Sequence, residues 1–140
     1  MMRFAALLGT PSVTLLALIA DVVARRFFHR ALFTPRERDV MLAFSAALAV
    51  VLYSSALGYL PIDIYRAGFS PWAPVALAAI AIAAAPRSLA IACTALAALV
   101  AYDVPLFASV NLFDYVVDPI VGIVAVGWAV VAGARRLLRA

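Results

Sequence analysis

The feature that most constrains the fold of this sequence is a series of long apolar runs divided by charged residues and prolines. The runs cover residues 4–24, 40–60, 71–102 and 119–134. A helix that crosses the hydrocarbon core of a membrane needs ~20 mainly apolar residues, within a range of ~17–25. Of the 140 residues, 68% are hydrophobic and 13% are charged, and a soluble domain of this size could not bury so much apolar surface. The sequence therefore predicts an all-α integral membrane protein and excludes a disordered chain or a disulfide-rich scaffold.

The third apolar run, 71–102, is too long for one span and rather short for two. Pro86 and Arg87 interrupt it, and proline is favoured at the first position of a helix. We therefore expect a fourth helix to begin there. The predicted fold is a single transmembrane domain, residues 1–140, without a soluble domain; its five helices lie at about 6–24, 36–60, 71–85, 87–102 and 119–134. In an alternative fold, 71–102 forms a re-entrant hairpin whose tip stops inside the bilayer.

Two short motifs indicate where helices begin. Thr34, Pro35 and Glu37 have the spacing of a capping box, with threonine as the cap and glutamate three residues later. Asp118 precedes Pro119 in the same way, with a capping side chain before a proline at the first helical position.

The arginines predict the orientation in the membrane. Short loops rich in basic residues stay in the cytoplasm, and all eleven basic residues of this chain are arginine. With five helices and the N-terminus outside, the inner side holds nine of them: Arg25, Arg26, Arg30, Arg36, Arg38, Arg87, Arg135, Arg136 and Arg139. Only Arg3 and Arg66 remain outside, so the C-terminus is expected in the cytoplasm. Four helices would place the C-terminal arginines on the side opposite Arg25–Arg38, which the same rule disfavours.

Two charged residues in or beside the apolar runs are candidate contacts for an ion or a substrate. A carboxylate within a span, such as Asp21, suggests a proton or cation relay, but Arg25 lies four residues later and pairing with it is the simpler expectation. Arg87 could bind a substrate anion or a lipid headgroup, or it could extend to the inner interface from a tight turn.

A third candidate is the group of polar residues formed by Asp103, Asn111, Asp114 and Asp118. Oxygen donors of this kind suit hard cations, although their spacing fits no specific calcium loop and Asp118 is explained equally well as a helix cap. Apolar residues between these acids suggest a segment that lies in the outer membrane interface or docks on another protein.

The remaining sequence points away from known catalytic motifs. His29 and Cys93 are the only residues of their types, so neither a metal site nor a cofactor is expected. No phosphate-binding loop, dinucleotide motif or nucleophile elbow occurs, and no basic face with interleaved aromatic residues suggests nucleic acid. We expect a bacterial cytoplasmic (inner) membrane protein that serves as an accessory, anchoring or scaffold subunit, with other subunits or further copies of itself as partners. The alternatives are an oligomeric transporter or channel component and a membrane-embedded lipid-modifying enzyme.

Overall fold

The computed structural model describes residues 10–138, which contain seven helical elements and no strand. The α-helices are α1 (Val13–Phe28), α2 (Pro35–Ala56), α3 (Trp72–Ala84), α4 (Leu89–Asp103), α5 (Leu112–Val116) and α6 (Pro119–Leu137), and a 3₁₀ helix (Tyr65–Phe69) lies between α2 and α3. The all-helical prediction is confirmed. The part of the predicted first helix before residue 10 lies outside the described residues.

Both helix-start motifs form as predicted. At the start of α2, the Thr34 hydroxyl accepts a hydrogen bond from the Glu37 backbone N–H, and the Glu37 carboxylate accepts one from the Thr34 N–H at 2.7 Å. At the start of α6, Asp118 accepts a hydrogen bond from the Val121 N–H at 2.8 Å, and Pro119 occupies the first helical position.

Several predicted boundaries are wrong, for local reasons. The fourth helix does not begin at Pro86: Ser88 caps α4 by accepting a hydrogen bond from the Ile91 N–H at 3.1 Å, and Pro86 lies in the preceding turn. The second helix ends at Ala56 instead of 60 because Gly58 adopts a φ of 78°, which reverses the chain. The first helix begins at Val13, after its cap Ser12, so residues 10–12 are not helical, contrary to the prediction; it continues past residue 24 to Phe28, and His29 ends it with a φ of 54°. The 3₁₀ helix and α5 were not predicted.

Helices α2 and α6 form a closely packed antiparallel pair. The early residue Leu42 of α2 lies with Ala125 of α6, whereas the later residue Leu52 lies with Val121. A Cβ atom added to Gly122 would lie 3.1 Å from the Cβ of Ala49. The small residues at this crossing therefore let the two helices approach closely, as is common between membrane helices.

The other half of the molecule is a hairpin of α3 and α4 that packs against α5 and α1. Leu77 of α3, Ala98 and Ala101 of α4, and Tyr115 of α5 share one core cluster. Tyr115 is fully buried, and its hydroxyl bonds with the backbone of Phe107. The loop before α5 is thereby fixed to the helical core.

In the described chain, more large hydrophobic side chains lie on the surface than hydrophobic residues lie in the core. Thirty-two large hydrophobic side chains are exposed, whereas seventeen hydrophobic residues are buried, and seven of those seventeen are alanine. Two helices, α2 and α6, are long and apolar enough to cross a membrane. The helices α3 and α4 are apolar but shorter, at 13 and 15 residues.

The helix directions collect the arginines at one end of the molecule. The loop from α1 to α2 and the α3–α4 turn meet there, because the Ser88 hydroxyl donates a hydrogen bond to the Glu37 carboxylate. The end of α6 lies there too, because α6 is antiparallel to α2. Eight of the nine described arginines lie in these segments or in the helical turns that border them, and Arg66, in the 3₁₀ helix between α2 and α3, lies at the other end. Arg3 and Arg139 lie outside the described residues.

Candidate functional site

Asp21 lies on α1 and is almost fully buried. One of its carboxylate oxygens accepts a hydrogen bond from Arg25 Nε at 2.8 Å, and the other accepts two from the backbone N–H groups of Leu32 and Phe33 at 2.8 and 3.0 Å. The Arg25 guanidinium in turn donates to the Phe33 carbonyl. The predicted Asp21–Arg25 pair is therefore present, and it fixes the loop that leads from α1 into α2.

Asp118 joins the starts of two helices that are distant in sequence. Besides capping α6, its carboxylate accepts a hydrogen bond from the Ser12 backbone N–H at 2.6 Å. The Ser12 hydroxyl itself caps α1 by accepting from the Leu15 N–H at 3.1 Å. Asp118 and Ser12 are both buried, so one carboxylate holds the N-terminal ends of α1 and α6 side by side.

Asp114 and Asn111 bind the 3₁₀ helix to α5. The Tyr65 hydroxyl donates to both oxygens of Asp114, at 2.8 and 3.0 Å, and Ser109 donates to the same carboxylate. Asn111 caps α5 and donates from its amide nitrogen to the Tyr65 carbonyl at 3.0 Å. Burial, together with the hydrogen bond to Asp114, raises the pKa of Tyr65 above its ordinary value of 10.

The four polar residues of the predicted outer cluster thus have different roles. Asp103 is the exposed last residue of α4, whereas Asn111, Asp114 and Asp118 bond to separate parts of the chain. Within residues 10–138, no group of three or more histidine, cysteine, aspartate or glutamate side chains is placed to hold a metal ion. The segment expected to lie in the interface divides in two: 103–110 is mostly exposed, while 111–118 is mostly buried by the protein's own helices.

Arg87 lies on the surface of the α3–α4 turn, and its side chain donates to the Ala83 carbonyl at 3.3 Å. Directly after it, Ser88 bonds to Glu37 of α2. Glu37 also closes the capping box of α2 through its second oxygen. The turn that carries Arg87 is therefore held at the start of α2, close to Arg36.

Between α2 and the α3–α4 hairpin lies a cavity with a volume of about 700 Å³. We call it the arginine cleft. Its mouth is formed by polar and charged residues at the helix ends: Thr34, Arg36, Glu37, Arg87 and Ser88. Its walls are mainly apolar and include Val40, Phe44, Leu77, Ile80 and Ile91, together with three hydroxyl-bearing residues, Thr14, Ser45 and Thr94. A second, smaller cavity of about 370 Å³ shares Phe44, Leu77 and Ile80 and continues the gap toward Trp72.

Sequence reasoning singled out Arg87 but missed the cleft. The sequence patterns identify Arg36 only as a signal of orientation and Glu37 only as a helix cap, and they do not single out Ser88. Because Glu37 and Ser88 are 51 residues apart, no local pattern indicates that they meet. The only available signal was that both lie beside arginines predicted on the same side of the membrane.

Comparison with known proteins identified no relative of this chain. The chain matches no protein-family model, and no similar chain was found among curated proteins or solved structures. What the fold defines is an all-helical bundle with an arginine-bordered cleft.

Proposed function

We propose that this chain is a polytopic protein of a bacterial cytoplasmic membrane, with five spans, its N-terminus outside and its C-terminus in the cytoplasm. The abundance of exposed large hydrophobic side chains supports lipid as the surrounding solvent, because soluble monomers rarely expose large contiguous apolar patches. The collection of arginines at one end supports the orientation. The contact between Ser88 and Glu37 supports full spanning by α3 and α4 over a re-entrant hairpin, since their turn reaches the start of α2.

Within that membrane, the chain acts as an accessory, anchoring or scaffold subunit of a larger complex. The observation that carries this proposal is the use of three carboxylates, of which Asp21 and Asp118 are buried and Asp114 is partly buried. Asp21, Asp114 and Asp118 each accept hydrogen bonds from another part of the same chain, so the polar interior stabilises the fold. The outer surface of the helices is then left for function.

The best-suited docking face lies on α6. Ile123, Val130 and Val131 are exposed there, and nothing lies within 4 Å of the position that a Cβ atom of Gly127 would occupy. A glycine on an open apolar face lets the backbone of a neighbouring membrane helix approach closely. We therefore take another membrane-embedded subunit as the partner of this face.

The transport and enzyme alternatives have weaker support. A relay through Asp21 would need an accessible carboxylate, but Asp21 is 1% exposed and both of its oxygens accept hydrogen bonds. A lipid-modifying enzyme would need reactive groups in one cavity, and the Ser88 hydroxyl and Glu37 carboxylate in the cleft are both used as helix caps.

Cross-linking in the native membrane tests the subunit proposal. In a Cys93→Ala background, Gly127→Cys on α6 and Ile82→Cys on α3 provide two lipid-exposed positions, of which only the first lies on the proposed face. A cross-linked product of one fixed mass at Gly127 and not at Ile82 is the expected result. A monomer at both positions, together with a monomer in gentle detergent extracts, would contradict the proposal.

A further inference from the structure

We propose that the arginine cleft binds one anionic phospholipid of the surrounding bilayer, with the phosphate at Arg36 and Arg87 and an acyl chain along the walls. The proposal rests on the membrane location proposed above and is independent of the subunit role. The cavity of about 700 Å³ falls within the ~300–1,000 Å³ that is usual for sites that bind small molecules. Its shape, polarity and charge each agree with such an occupant.

The depth of the cleft matches one leaflet. Its lining residues on α2 extend from Arg36 to Ser45, a rise of ~14 Å at 1.5 Å per residue, and those on α4 extend from Ser88 to Ala98, ~15 Å. Half of a hydrocarbon core of ~30 Å is ~15 Å. A lipid whose headgroup lies at the mouth could therefore extend its acyl chain to the deep end of the cavity, near the middle of the bilayer, without leaving its own leaflet.

The polarity changes along the cleft in the same direction as along a phospholipid. The charged residues lie only at the mouth, whereas the walls farther in are mainly apolar, as at Val40, Phe44 and Ile91, and their only polar groups are the uncharged hydroxyls of Thr14, Ser45 and Thr94. Phe44 and Ile80 are partly exposed at the rim. An acyl chain could therefore enter the cleft sideways through the gap between α2 and α3, and this is the direction from which a bilayer lipid arrives.

The charge at the mouth favours an anion. Arg36 and Arg87 form no ion pair within residues 10–138, where the only salt bridge joins Arg25 to Asp21. Glu37 is the one carboxylate that lines the cleft, and its two oxygens accept hydrogen bonds from Ser88 and Thr34. Guanidinium groups match the planar, bidentate geometry of phosphate oxygens, and anionic lipids are attracted to basic groups at the cytoplasmic surface.

Native mass spectrometry of the full chain in mild detergent tests the charged part of the site. Phosphatidylglycerol or phosphatidylcholine is added to the micelles, and the number of lipids retained by each chain is counted. The wild-type chain is expected to retain one phosphatidylglycerol in preference to phosphatidylcholine. The double variant Arg36→Gln/Arg87→Gln should bind it roughly ten- to thirtyfold more weakly, given ~1 kcal/mol per arginine and ~1.4 kcal/mol per tenfold change.

The matched control is Arg135→Gln/Arg136→Gln, which removes the same charge from the same end of the molecule but outside the cleft. It should retain phosphatidylglycerol as the wild type does. Equal losses in the two double variants would overturn the proposal, because they would show binding to the general basic surface. Retention of phosphatidylcholine as strongly as phosphatidylglycerol, or full competition by inorganic phosphate alone, would also overturn it.

A second pair of variants tests the apolar part without any change in charge. Ile80→Trp adds bulk at a residue that lines the cleft, whereas Ile82→Trp adds the same bulk on α3 at a more exposed residue that does not line it. The first should lower retention of phosphatidylglycerol severalfold, and the second should leave it unchanged. Unfolding curves of both variants establish that each is folded, and equal retention by the two would overturn the placement of the acyl chain.

Discussion

At the scale of single residues, three buried polar side chains each connect their own helix end or turn to another segment of the chain. Asp21 holds the loop at 32–33, Asp118 holds Ser12, and Asn111 holds Tyr65. Backbone groups without a partner are costly where water is absent. These side chains therefore stabilise the irregular backbone that connects the helices.

Replacement of Asp21 by asparagine is expected to destabilise the fold by about 2 kcal/mol. The variant removes the negative charge that pairs with Arg25, and it places an amide where three hydrogen bonds converge on carboxylate oxygens. This cost is smaller than the ~3–5 kcal/mol typical of breaking a fully buried pair because Arg25 is about one third exposed. The measurement is the free energy of unfolding in mild detergent titrated with sodium dodecyl sulfate.

Asp63→Asn is the matched control for this variant. Asp63 is exposed and accepts one hydrogen bond, from the Arg66 backbone N–H at 3.1 Å. It should change the free energy of unfolding by less than about 0.5 kcal/mol. If both variants unfold at the same detergent composition as the wild type, the structural role assigned to Asp21 is wrong.

Gly68 is required by the close approach of the 3₁₀ helix to Asn111. A Cβ atom at this position would lie 1.9 Å from Asn111 Oδ1 and 2.7 Å from Phe113 Cδ2. Gly68→Ala should therefore cost ~1–3 kcal/mol, the usual range for overpacking. Gly127→Ala, where nothing lies within 4 Å, should be neutral or stabilising because alanine favours a helix; a larger loss at Gly127 than at Gly68 would contradict this assignment.

At the scale of helices, the α2–α6 pair depends on small residues at its crossing. A Cβ atom added to Gly122 would lie 3.1 Å from Ala49 Cβ and 3.1 Å from Tyr53 Cε2. Ala46 and Ala125 are buried in the same part of the pair. Because lipid tails are as apolar as the side chains, close van der Waals packing contributes much of the association between membrane helices. The stability of the α2–α6 pair is therefore expected to depend on the volume of the side chains at the crossing.

Gly122→Val should separate α2 from α6 and lower the free energy of unfolding by ~1–3 kcal/mol. Gly133→Val lies on the same helix where nothing is within 4 Å, so it reports the propensity cost of valine alone. The comparison is made in the detergent titration used above. A loss at Gly133 that equals the loss at Gly122 would show that helix propensity, and not the crossing, determines the result.

The helices could be predicted from the sequence to the extent that local signals determine them. The capping box at Thr34 and the Asp118–Pro119 start are short-range patterns, and both form. Ser88 was missed as a cap because Pro86 carried the more familiar signal. The 3₁₀ helix and α5 depend on the contacts of Tyr65 with Asn111 and Asp114, which lie 46 and 49 residues away, so no local pattern could reveal them.

At the scale of the whole molecule, the arginines and the cleft belong to one arrangement. The antiparallel course of α2 and α6 and the contact of the α3–α4 turn with Glu37 bring the basic segments to one end. The same contact places Arg87 at the mouth of the cleft beside α2. Cytoplasmic orientation and binding of an anionic lipid would therefore have a common origin in the position of this turn.

Cysteine accessibility in intact cells tests that arrangement. In a Cys93→Ala background, Arg30→Cys and Arg136→Cys should react with a membrane-impermeant thiol reagent only after permeabilisation, whereas Arg66→Cys should react from outside. Arg87→Cys distinguishes full spanning from a re-entrant hairpin, because only a turn that reaches the inner surface becomes accessible from that side. Labelling of Arg30→Cys and Arg136→Cys from opposite sides would be incompatible with antiparallel α2 and α6 in one membrane, and with the orientation derived from the arginines.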